Sequence, residues 1–145
     1  MTDPLSVTAS LIAVLQLSAE ATKYLKEIRH GSADRVRLRD ELRNATCLLE
    51  MLKDRTEDPE DEVNQALKPS AVSSLTAPDG PLASFKRLLE DIVAKIVPQD
   101  RLRIFAQPFV WPFNKRDISD MLDALERLKS HFTLIMQNDL VYVLS

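Results

Sequence analysis

Arg35, Arg39 and Arg43 recur every four residues, with Arg37 beside them. A column of guanidinium groups on one helix face is the feature of this chain best able to do chemistry, because it can hold phosphate or carboxylate anions. Stacking like charges at that spacing costs about 0.2–0.5 kcal/mol per pair, which Asp34, Asp40 and Glu41 relieve in part. Two uses fit the pattern. One is a solvated face answered by acids of another helix, for which Asp117, Asp120 and Asp123 are the candidates. The other is a site for anionic lipid headgroups, which attract Lys and Arg by about 1 kcal/mol per residue near the surface.

The other reactive side chains do not assemble into a catalytic pattern. His30 and His131 lie far apart in sequence and neither belongs to a metal-ligand spacing or a nucleophile motif. Cys47 is the only cysteine, which rules out an intrachain disulfide and fits a reducing compartment; its apolar neighbours on a predicted helix make it an expected buried, inert thiol. Gly31 and Gly80 are the only glycines and stand in no phosphate-cradling cluster. No catalytic, cofactor-binding or metal-ligating residue is assigned, and the chain is not expected to be an enzyme. A net charge of −3 supplies no global field for nucleic acid, so any anionic partner must meet a local basic patch.

The element around which the chain is organised is Pro4 to Ala19, sixteen residues without a charge in a sequence that is 28% charged. Val7, Leu11, Val14, Ala21, Leu25 and Ile28 keep the spacing of one helix face, interrupted by Ser18. Leu5, Ala9, Ile12, Leu15 and Ala19 form a neighbouring row. A helix apolar over most of its girth is buried in protein or in lipid, and both readings stay open. Sixteen residues rise about 24 Å, short of a hydrocarbon core about 30 Å thick, so a stable single-pass span is not expected. Asp3 stands where a secretory signal needs a basic residue, and Thr2 where N-myristoylation needs glycine.

At 145 residues one domain is expected. Helix one is predicted from about Pro4 to Arg29, stopped by Gly31, and Ser32 can cap helix two. Helix two has a core row of Leu38, Leu42, Ala45, Leu49 and Leu52, widened by Leu48 and Met51. The two are expected to pack as antiparallel neighbours. After the acidic run 57–62, residues 68–81 read as a mobile loop. A third helix follows from Leu82, Phe85, Leu89, Ile92 and Ile96, with Pro98 as its stop. Phe105, Phe109, Trp111 and Phe113 gather between prolines, as a plug for the bundle end or as a membrane-interface belt. Asn114 can cap the last helix, whose predicted core row is Ile118, Met121, Leu125, Leu128, Phe132 and Ile135. The expected fold is all-α: a four-helix-type bundle with an extra short helix or loop between helices two and three. A chain ending in LVYVLS looks like one domain of something longer.

Trp111, Pro112 and Lys115, followed by a helix carrying Glu126, Arg127 and Lys129, resemble the amino-terminal HeLo-like (HELL) domains of fungal NLR-like, or STAND, proteins. The opening DPLSVTASLIAVLQLSAEATKYLKEI is similar to their first helix, and the two blocks cover about two fifths of the chain. The resemblance implies a cell-death execution domain of the kind used in heterokaryon incompatibility and innate immunity. Its parent chain would carry an NLR-type nucleotide-binding module and often ankyrin, WD or TPR repeats. Such a domain waits in the cytoplasm, self-associates on activation and permeabilises the plasma membrane. Carried over by position, the inserting element is residues 4–19, with Leu5, Val7, Leu11, Ile12, Val14 and Leu15 as candidates, and Arg35, Arg37, Arg39 and Arg43 as candidate contacts to anionic lipid.

A helix too polar to span alone can still line a pore made of many copies, one face toward lipid and Ser6, Ser10 and Gln16 toward water or neighbouring helices. At rest, Val7, Leu11 and Val14 are expected to be buried, since exposed they would form an aggregating patch. The alternative is a soluble regulatory or adaptor bundle of a fungal NLR-like receptor, which binds a partner protein and has no membrane activity.

Overall fold

Three of the helices in the computed structural model begin on a proline, whose missing N–H and fixed φ suit a first helical turn. The structure describes residues 4–27, 32–57, 69–96 and 112–144. They form helices α1 (Pro4–Glu27), α2 (Ser32–Glu57), α3 (Pro69–Thr76), α4 (Pro81–Ile96) and α5 (Lys115–Leu144), and no strand occurs among them. The predicted stop at Gly31, the acidic residues 58–62, His30 and the aromatic residues Phe105, Phe109 and Trp111 lie outside the described residues.

Side-chain contacts fix the direction of each helix. α1 and α2 are antiparallel: Arg35 meets the last carbonyls of α1 at one end, and Ser18 meets Thr46 further down. α2 and α5 are parallel, because contacts advance together along both, from Arg37 beside Asp123 through Glu41 on Lys129 to Arg55 on the Met136 carbonyl. α4 runs against α5, with Lys95 near Asp117 at one end and Phe85 against Phe132, ring centroids 6.0 Å apart, nearer the other. α1 also packs on α4, so four long helices close a square in the order α1, α2, α5, α4. α2 and α4 are diagonal partners, and the connection between them carries α3, which packs on α4 and α5. The all-α bundle with a short extra helix between the second and third long helices is therefore the fold of this chain.

The core follows the predicted rows closely. Val7, Leu11, Val14, Ala21 and Leu25 of α1 are buried with Leu38, Leu42, Ala45, Leu49 and Leu52 of α2. Leu82, Phe85, Leu89, Ile92 and Ile96 of α4 meet Ile118, Leu125, Leu128, Phe132 and Ile135 of α5. Phe113 is buried at the end of the bundle, its ring 5.7 Å from the Lys95 ammonium. α5 starts on a reciprocal cap: the Asp117 N–H donates to Asn114 Oδ1 (2.7 Å) and the Asn114 N–H to Asp117 Oδ2 (3.1 Å).

Four expectations need correcting. The expected loop 68–81 contains helix α3, which Leu75, fully buried, pins to the core with Ala71 and Val72 half-buried beside it. Met51 is 55% exposed and does not widen the core face of α2. Leu122 takes a buried place on α5, and Met121 only packs at the edge. Cys47 is exposed, because its position on α2 faces the outer seam with α1 and its apolar sequence neighbours face inward.

Candidate interaction site

The square topology sorts charge along the bundle. α1 and α4 start at the same end, α2 and α5 finish there, and α3 closes it. The start of α1, α3 and the later part of α5 lie toward this end, and residues 4–19, 69–78 and 132–138 carry no charged residue. Ser10, Ala13, Val14, Ala77, Pro78 and Ala83 line a cleft of about 260 Å³ there, with Lys86 as its only charged wall. Charged residues toward this end are Lys53, Asp54 and Arg55 of α2, Asp79 in the turn before α4 and Lys86 of α4.

The candidate insertion residues divide by face. Val7, Leu11 and Val14 are buried in the core, Leu15 is half-buried, and Ile12 is 37% exposed. The Leu5 side chain lies outside the described residues. Ala9, Ser10, Ala13, Gln16 and Ala19 are exposed with Ile12, so residues 9–19 of α1 present an uncharged outer face as well as a buried one. No helix among the described residues is long and apolar enough to cross a membrane.

One polar contact holds α1 to α2 within the core. Ser18 is 1% exposed and its hydroxyl lies 2.6 Å from that of Thr46. Thr46 donates its one proton to the Leu42 carbonyl at 2.7 Å, which makes Ser18 the donor of the interhelical bond. Ser18 interrupts the apolar row because it is the polar latch of the hairpin.

The arginine column does not act as one patch. Arg35 is half-buried and its Nη1 donates to the carbonyls of Leu25 (3.1 Å) and Lys26 (3.4 Å), satisfying the end of α1 where a cation is favoured. Arg39 is half-buried too, with its Nε buried and unpaired. Arg37 and Arg43 are exposed but point to different seams, Arg37 toward α5 beside Asp34, Lys115 and Asp123, and Arg43 toward α1 beside Lys23, Lys26 and Glu50. Lys23 and Lys26 were readable only as part of an amphipathic half-helix, since nothing in the sequence tells which residue of α2 stands opposite them.

The ion pair joining α2 to α5 has the polarity opposite to expectation. Lys129 on α5 is the cation, bonded to Glu41 of α2 at 2.5 Å and to Glu126 at 2.7 Å. The Glu126 bond followed by that to Glu41 raises the Lys129 pKa, and the bond from Lys129 lowers that of Glu126. Asp117 turns instead to Lys95, 3.8 Å away, and to its cap, while Asp123 lines the cleft that Arg37 shares. Of the motif residues behind the family resemblance, Glu126 and Lys129 thus meet, Pro112, Lys115 and Arg127 are exposed, and Trp111 lies outside the described residues. Among the described residues no group of three or more His, Cys, Asp or Glu side chains could hold a metal ion. No family model, curated protein or solved structure matches this chain.

Proposed function

We propose that this domain is a membrane-permeabilising execution module, at rest in the cytoplasm and active at the plasma membrane when its copies are clustered. The observation that carries the reading is the gathering of three uncharged stretches, led by the outer face of α1, at one end of an otherwise charged bundle. No helix among the described residues can span a membrane by itself, so the reading calls for clustering: several α1 segments together can bury backbone and side chains that one cannot. The resemblance to HeLo-like domains supports the same reading and adds a nucleotide-binding module as the source of clustering.

The test is dye release from vesicles of phosphatidylcholine with and without phosphatidylglycerol, by the chain alone and by the chain fused to an oligomerising tag. Release by the clustered form that rises with anionic lipid supports the proposal; no release in either form removes it. A second reading, an adaptor that binds a partner protein, is favoured by Met51 and Leu134, 55% and 51% exposed on α2 and α5. It predicts that the clustered form leaves vesicles intact.

A further inference from the structure

The outer seam of the α1–α2 hairpin is an open groove of about 640 Å³. Small residues line its floor, Ser18, Ala19 and Thr22 on α1 and Thr46 on α2, with Ser18 bonded to Thr46 across it. Longer side chains stand up as walls. The antiparallel register fixed by Ser18 and Thr46 places Arg43 on the same side of that contact as Lys23 and Lys26. Glu50, the one acid of the lining, stands about 10 Å farther along α2 at 1.5 Å per residue. Among the described residues, none of Lys23, Lys26 and Arg43 is held in an ion pair. Three unpaired cations therefore converge on one end of the groove.

The rest of the groove is of another character. Ala19 and Leu15 line it beyond the cations, and the exposed row of α1 continues past them through Ile12 and Ala9 without a charge. A free anion would use only the cationic end. An amphiphile would use both, its head among the cations and its chain along the apolar row.

We infer that this groove seats an anionic phospholipid, with the phosphate among Lys23, Lys26 and Arg43 and the start of an acyl chain along Ala19, Leu15 and Ile12. The inference rests on the membrane reading above and gives it a seat. It also moves the lipid contact away from Arg35, whose guanidinium is bonded to the end of α1, and from Arg39, whose Nε is buried.

Cys47 makes the groove observable, because the only thiol of the chain is exposed on its wall. Alkylation of Cys47 is followed with phosphatidylcholine vesicles, with vesicles containing phosphatidylglycerol, and with soluble glycerol phosphate, and vesicle binding is measured by co-sedimentation. Anionic vesicles should slow alkylation several-fold, and neither neutral vesicles nor glycerol phosphate should. Lys23→Gln with Arg43→Gln should weaken binding roughly thirtyfold, at about 1 kcal/mol per cation removed. Arg87→Gln with Arg116→Gln, the same charge change on exposed positions of α4 and α5, should bind like wild type. Circular dichroism checks that both double variants are folded.

Absence of binding, unchanged alkylation, or equal weakening by the two double variants overturns the inference. Protection by glycerol phosphate alone replaces it with a free-phosphate site, and protection by a glutamate-rich peptide but not by vesicles replaces it with a protein-docking groove. Clustered protein that releases dye while groove variants bind unchanged removes the groove and leaves the membrane reading. Groove-dependent binding without release on clustering does the reverse.

Discussion

Ser18 and Thr46 show how one hydrogen bond can fix the register of a helix pair. Thr46 donates to its own helix and accepts from Ser18, so the two hydroxyls satisfy each other only while α1 and α2 stay in place. Thr46→Val preserves shape and deprives a buried donor of its acceptor, which should cost about 1–3 kcal/mol in urea unfolding. Ser18→Ala leaves Thr46 its own acceptor and should cost less, about 1 kcal/mol. The double variant should be more stable than the sum of the two losses, by a coupling of about 1 kcal/mol. Additivity would show that the bond contributes nothing to the hairpin.

Lys129 is the second residue whose environment makes a prediction. Its side chain is 19% exposed and touches two carboxylates, one on each of the helices it joins. Glu126 has a lowered pKa through its bond to Lys129, so its contribution is present above the ordinary carboxylate value of 4.5 and is lost as pH falls through the folded value. Lys129 has a raised pKa, so its contribution is present below 10.5 and is lost as pH rises through the folded value. Tyr24 adds to the alkaline loss, its hydroxyl pushed up by burial and by its bond to Glu20. Lys129→Met should flatten the acid limb of a stability-versus-pH curve while leaving the Tyr24 part of the alkaline limb. An unchanged acid limb would refute the role of this cluster.

Among the elements, α3 is the one that sequence periodicity misses. Eight residues with one fully buried side chain carry too short a pattern to stand out from a Ser- and Pro-rich stretch. What holds α3 is tertiary: Leu75 enters the core, and the following turn is closed by the Gly80 N–H on the Ala77 carbonyl at 2.8 Å. A Cβ at Gly80 would stand 2.6 Å from the Ser74 carbonyl oxygen and 3.1 Å from that of Ala77. Gly80→Ala should therefore cost about 1–3 kcal/mol through forced backbone shifts, and hydrogen exchange should show α3 and the start of α4 losing protection first. The long helices were legible because Leu38 to Leu52 and Leu82 to Ile96 repeat over several turns, and because Asn114 with Asp117 is a local cap. The orientation of Cys47, the bonding of Arg35 to the end of α1 and the partner of Lys129 were not, since each depends on which helix lies opposite.

At the scale of the molecule, the topology assembles what the sequence keeps apart. Residues 4–19, 69–78 and 132–138 are separated by charged stretches, and only parallel pairing of α2 with α5 and shared starts of α1 and α4 bring them to one end. This convergence also supplies a sharper test of the proposed function than truncating α1, because Val7, Leu11 and Val14 are core residues and their removal opens the bundle. Val14→Asp places a charge at a position 3% exposed and should cost about 4 kcal/mol or more, so loss of vesicle activity there reports unfolding. Ala9→Glu with Ala13→Glu charges exposed positions on the same helix and should change stability by about 0.5 kcal/mol or less. If α1 enters lipid by its outer face, this folded double variant, clustered as before, should lose dye release while retaining the wild-type unfolding midpoint. Retained release would mean that the outer face of α1 does not meet hydrocarbon, and the uncharged end would then be better explained as a surface for joining copies of the domain or a partner protein.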